Sequence, residues 1–308
     1  YADTFVRGIN IISPGNVMGG IDYNTIDVES NINIDGMFLK SHGGSVGTSL
    51  NPFSISGNDM EVTGETGFGI RVYGDSIYAE IDDNIRLSVE SGATGGTNTG
   101  IYEVAYTGDI GGSISGNTLA VSGDTAFGVY LRTDGAGSMI GNASDVFDMS
   151  DNDIDVDGAA GGGYGSVLYA NSDVFASVIR NDLLDGITGT TAYGLYINSV
   201  NGGLGSVATP LEVIDNDFYT EATTGDGYGL YLNADNGTMD YSITKNHIYA
   251  YSESGVWDLD NLGLFDPVYI RADVADGTGS GTLSDPYSPQ DGCYLGGTGA
   301  NINIYVLD

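Results

Sequence analysis

The stretch Ile114-Ser115-Gly116-Asn117-Thr118-Leu119 decides the reading of this chain, because it recurs. The same apolar-x-x-Asn-x-apolar pattern returns as IDYNTI at 21–26, ISGNDM at 55–60, MSDNDI at 149–154, VIRNDL at 178–183, VIDNDF at 213–218 and ITKNHI at 243–248, with a shifted copy, IDDNIRL, at 81–87. Its asparagines are Asn24, Asn58, Asn84, Asn117, Asn152, Asn181, Asn216 and Asn246, spaced by 26 to 35 residues. A second motif interleaves with the first: a glycine, an apolar residue, then usually an aromatic. Its glycines are Gly8, Gly36, Gly69, Gly100, Gly128, Gly165, Gly194, Gly229 and Gly255. Each period therefore holds two or three short alternating strands joined by turns rich in Gly, Asp, Ser and Asn.

A period of about 31 residues is the signature of a solenoid. One coil cannot bury its inward side chains alone, but coils stacked about 4.8 Å apart bury a continuous core. Like residues then lie on like, so Val129/Leu131, Leu195/Ile197 and Leu230/Leu232 fall in aliphatic columns. The asparagines form an internal amide ladder, each satisfying its neighbour at a bend. No stretch sustains a 3.6-residue apolar period, which excludes an α-solenoid. The expected fold is all-β, a single parallel β-helix of nine or ten coils over residues 1–262.

Composition agrees and narrows the partners. Among 308 residues there are 50 glycines and 6 prolines, which suits many tight turns, and 41% hydrophobic residues, enough for a core. The 42 acidic residues against 8 basic ones give a net charge of −34, which excludes nucleic acid and anionic membrane as partners, since phosphate binding needs Lys and Arg. No apolar run reaches the roughly 20 residues needed to span a bilayer. Cys293 is the only cysteine, so no intramolecular disulfide forms. The chain starts at Tyr1 without a visible signal peptide, and the expectation is a processed or excised piece, exported to the extracellular space or the cell surface.

The I-x-x-N-x-I pattern, once per coil over residues 8 to about 262, resembles the repeats of the pectate-lyase-like right-handed β-helix superfamily. The resemblance implies a right-handed coil and a secreted protein. For activity it implies little, because that superfamily includes lyases, glycosidases, adhesins and phage tailspikes.

Several columns are candidate sites. The residue two after each anchor glycine is expected to face outward, giving an aromatic stripe of Phe38, Tyr102, Tyr130, Tyr196, Tyr231 and Trp257, with Arg71 among them and Asn10 and Val167 as exceptions. Such a stripe binds sugar rings or drives side-by-side bundling; equally, tyrosine favours strands and stacks on its neighbours. The residues before the late asparagines, Asp151, Arg180, Asp215 and Lys245, alternate in sign as an ion-pair column would. Those after them, Asp153, Asp182 and Asp217, offer hard oxygen ligands, so calcium is the one candidate cofactor and none is required. Asp153-Ile-Asp155-Val-Asp157-Gly158 matches half of an EF-hand loop, but Tyr164 stands where the bidentate Glu belongs. No catalytic set emerges: Asp182, Asp217, Arg180 and Lys245 are near one another because they are repeat-equivalent, and His42 and His247 lack a nucleophile. Asn142-Ala-Ser144 and Asn236-Gly-Thr238 match glycosylation triplets short enough to arise by chance.

Residues 263–308 lack the asparagine motif. A Gly-rich loop there leads to an alternating strand containing Ile302, Ile304 and Val306, a sequence that looks like the opening of a β-helix domain. The expectation is that this strand opens the next module or pairs with the next subunit near Phe5–Ile11. The leading function is thus an extracellular structural module stacking head to tail, with itself as partner. A glycan-binding adhesin is the alternative, and a polysaccharide lyase or hydrolase comes third.

Overall fold

The structure is a computed structural model and describes residues 5–91 and 96–252, together with the strands Val268–Arg271 and Ile304–Leu307. It divides into two compact units, residues 1–255 and 256–308. Trp257, Ile302 and Cys293 lie outside the described residues.

The first unit is a parallel β-solenoid of about eight turns, fewer than the nine or ten coils expected. Each turn passes through two sheets. One sheet stacks eight short strands: Gly20–Asp22, Phe53–Ser56, Ile77–Asp82, Ile110–Ser115, Phe147–Ser150, Ala176–Ile179, Leu211–Ile214 and Tyr241–Thr244. The other has fourteen strands and carries two faces of the coil. Its ladder-side face runs from Thr25–Glu29 to His247–Ser252, and its outer face runs from Phe5–Ser13 to Gly227–Ala234. Asp153–Ala170 and Asp182–Ser199 are single long strands that run through both faces. All pairing between these strands is parallel.

Registers explain why the repeat folds this way. Ile21, Ile55, Ile81, Ile114, Met149, Val178 and Val213 pair in order up the eight-stranded sheet, and all are buried. On the ladder-side face Val62, Val89, Val121, Val156 and Ile187 do the same. Each buried aliphatic side chain contributes roughly 1.5–3 kcal/mol, and no single turn could assemble these columns alone. The anchor glycines sit where the outer face bends and both residues of a Gly-apolar pair turn inward. A Cβ on Gly128 would lie 2.5 Å from the Gly165 carbonyl oxygen and 2.5 Å from Ile154 Cγ2, so backbone and core close in on it from two sides.

Candidate functional site

The asparagine ladder is internal, as expected. Asn58, Asn84, Asn117, Asn152, Asn181 and Asn216 are at most 1% exposed, while Asn24 and Asn246 at the two ends are half-buried. From Asn58 onward each Oδ1 accepts two bonds from the turn before: Asn117 donates its backbone N–H (3.1 Å) and its Nδ2 (3.0 Å) to Asn152 Oδ1. The second Nδ2 hydrogen goes backwards, as from Asn152 to the Ile114 carbonyl at 2.8 Å. The whole amide is therefore used, which is what makes a buried asparagine stable.

The residue before each ladder asparagine has a positive φ in all eight copies: Tyr23, Gly57, Asp83, Gly116, Asp151, Arg180, Asp215 and Lys245, between 53° and 64°. This left-handed residue makes the corner, and it was missed in the sequence although Gly57, Gly116 and three Asp signal it. At the corner Arg180 grips Asp151 through two bonds of 2.7 Å, and holds its carboxyl below the usual range. The expected ion-pair column goes no further among the described residues: Asp215 and Lys245 form no pair within 4 Å.

The predicted aromatic stripe is half of a wider feature. In register, Phe38, Arg71, Tyr102, Tyr130, Val167, Tyr196 and Tyr231 form one column. A second column lies across the glycine bend: Arg7, Asp35, Phe68, Thr99, Phe127, Tyr164, Tyr193 and Tyr228. Its signal, an aromatic immediately before the anchor glycine, stands in the sequence at 68, 127, 164, 193 and 228. The two columns meet edge to face across the bend, as in Phe127–Tyr130 at 5.3 Å and Tyr228–Tyr231 at 5.7 Å.

The stripe is less exposed than expected, because the two columns lean together. Phe38 is 6% exposed, and Tyr102, Tyr130, Tyr196 and Tyr231 are half-buried. The rings also stack along the axis: Phe127–Tyr164 at 4.7 Å, Tyr164–Tyr193 at 5.3 Å, Tyr193–Tyr228 at 5.0 Å and Tyr196–Tyr231 at 4.8 Å, all within 19° of parallel. Ring faces are thus spent on one another, and the hydroxyls lose water: burial pushes Tyr102 and Tyr196 up to about 12 and raises Tyr193 as well.

Over the first turns the same face holds a buried ion cluster that the sequence did not reveal. Asp35, fully buried, accepts from Arg7 Nε at 2.8 Å and Arg71 Nη2 at 2.6 Å through one oxygen. Arg71 lies among the rings of Phe5, Phe38 and Phe68, 4.4 to 4.8 Å from their centroids. Burial pushes the Asp35 carboxyl up, against the downward pull of the two guanidiniums.

Asp153, Asp182 and Asp217 stand in register, one per turn, and the column ends on His247, whose Nδ1 lies 3.6 Å from Asp217. Among the described residues no three His, Cys, Asp or Glu side chains converge as a metal site. One open cleft of about 190 Å³ is lined by Ser49, Pro52, Tyr78, Glu80, Gly112, Ser113 and Asp145. It exists because the short loops Thr48–Asn51 and Asn142–Asp145 project beside two turns that lack such a loop.

In the second unit Val268–Arg271 pairs in parallel with Ile304–Leu307, Val268 opposite Ile304 and Ile270 opposite Val306. Compared with known proteins, this chain matches no family model, no curated protein and no solved structure, so its likeness to other β-helix proteins rests on architecture: parallel stacked turns closed by a buried asparagine ladder.

Proposed function

We propose that this chain is an extracellular structural module that extends lengthwise, turn upon turn, into a fibre or tandem β-helix array, with the pectate-lyase-like superfamily as its source of architecture. The observation that carries the reading is the pair Val268–Arg271 and Ile304–Leu307, whose partners are 36 residues apart in the sequence. That offset is close to the length of one solenoid turn, comparable with the ladder offsets of 26 to 35. Two parallel strands bury no core by themselves, so this pair needs further strands to stack on. Among the described residues, Phe5–Ser13 pairs only with Asn33–Ser41, which leaves one edge to receive a strand of another copy. A bare strand edge is a template for such addition.

The test is electron microscopy and sedimentation of the full chain beside a chain lacking residues 263–308. Eight turns at about 4.8 Å give a rod of about 38 Å. The full chain should form rods several times that length as concentration rises, and the shortened chain should stay single with its β signal intact. Single rods from both chains at every concentration would sink the reading.

A second reading, glycan binding, gains support from the cleft, where Tyr78 offers a ring and Glu80, Ser113 and Asp145 offer acceptors for sugar hydroxyls. The stacked ring faces of the aromatic columns speak against the stripe as a sugar platform, since sugar rings pack on open faces. Glycan-array binding abolished by Tyr78→Ala but kept by Tyr196→Ala would move this reading to first place.

A further inference from the structure

Among the described residues, Glu103 is the one acid buried in an inward, aliphatic column of the solenoid core. It lies on Thr97–Ala105, the fourth of the eight outer-face strands, with Val72 before it and Leu131 after it in the same inward column. It is 1% exposed and its Oε1 has no hydrogen-bond partner. The strands packed against it, Thr66–Gly74, Ile77–Asp82, Arg86–Ser91, Ile110–Ser115, Thr118–Gly123 and Thr125–Thr133, bring mainly aliphatic side chains to the shared core, and the hydroxyl of Thr133 is bonded to the Ser138 carbonyl and the Asn171 N–H. No titratable or charged group among them faces Glu103. Arg71, the nearest buried charge in register, is opposite Tyr102 and on the other surface of the sheet. A leucine would suit the column better, as Leu39, Leu131 and Leu168 do at other turns of the same column.

We propose that Glu103 is a pH-set weak point of the rod: when this buried carboxyl ionises, the fourth turn loosens and the turns before it uncouple from those after it. An ionised carboxylate this deeply buried, with an oxygen left unbonded, is strongly disfavoured in hydrocarbon, whereas the neutral acid is tolerated. Burial accordingly pushes Glu103 up to about 8, from the 4.5 of a free glutamate. Between those values the folded chain holds a proton that the unfolded chain has released, so stability falls as pH rises. The contribution is whole below about pH 4.5 and lost by about pH 8. Because a solenoid is held together by contacts between neighbouring turns, one failed turn divides the stack.

The test is denaturant unfolding of the full chain, wild type beside Glu103→Gln and Glu103→Leu, from pH 5 to 9. The comparison cancels the other carboxylates, which are common to all three. The ratio of folding constants, variant over wild type, should grow about tenfold per pH unit up to pH 8 and then level off, the slope for one proton. Curves that stay parallel would overturn the proposal. If the Gln variant fails to fold, the Leu variant, which fills the column with hydrocarbon, gives the same comparison. Hydrogen exchange fixes the place: wild type at pH 8.5 should open first around Ile101–Ala105, and the Leu variant should not. Opening that begins at the terminal turns in both proteins would overturn the assignment to the fourth turn.

Discussion

At the scale of single residues, the ladder shows what a buried polar side chain needs. Asn152 accepts two bonds from Asn117 and donates to Asn181 and to Ile114, so no part of its amide is idle. Replacing it by leucine keeps the volume but strands the Asn117 donors and the Ile114 carbonyl. Asn152→Leu should cost about 1–3 kcal/mol in urea unfolding, the price of unsatisfied buried groups. Asn24→Leu should cost clearly less, because Asn24 is half-buried at the end of the ladder and water can replace its bonds. Equal losses at the two positions would mean that the ladder is not held by burial. The ladder was legible in the sequence because its residue type repeats. The Arg7–Asp35–Arg71 cluster was not: its members are 28 and 36 residues apart and meet only once the register of the turns is known. Glu103 was hidden for the opposite reason, since one acid in a strand that alternates inward and outward reads as solvent-facing.

At the scale of the strand, the bend on the outer face depends on glycine for closeness rather than for unusual dihedrals. Gly128 has an ordinary φ, but its missing side chain lets the strand approach the Gly165 carbonyl of the next turn. Gly128→Val should destabilise by about 1–3 kcal/mol or more, at the upper end for overpacking because backbone cannot rotate away. Gly15→Val, where a Cβ would meet nothing within 4 Å, should change stability by less than about 0.5 kcal/mol. Thermal unfolding of the two variants decides between them, and a neutral Gly128→Val would mean that the bend is not set by close approach. The anchor glycines were visible from their spacing, but the aromatic preceding five of them was overlooked, so the stripe was read as one exposed column. The correct geometry, two columns converging on a bend, requires knowing that the glycine and its successor both turn inward. Only the strand alternation broken at that point reveals it.

At the scale of the whole molecule, charge and assembly oppose each other. With a net charge of −34, two copies repel before their edges meet. Part of that charge lies on the ladder-side face, where Asp153, Asp155, Asp157, Asp182 and Asp217 stand on three successive turns. Strand addition is short-ranged, whereas the repulsion reaches across a Debye length of about 30 Å at 0.01 M salt and about 8 Å at 0.15 M. End-to-end growth should therefore be slow at low salt and should speed up as sodium chloride rises toward 0.3 M, the reverse of an electrostatically steered association. Light scattering of the full chain across that range, with the chain lacking residues 263–308 as the control, measures it. The control matters because screening alone promotes nonspecific clustering, which both chains would show to the same degree. Growth that accelerates with salt only in the full chain ties the assembly to its C-terminal strands. Growth that slows with salt would mean that opposite charges draw the copies together, and the contact would then have to involve the few basic side chains of the outer face rather than a strand edge.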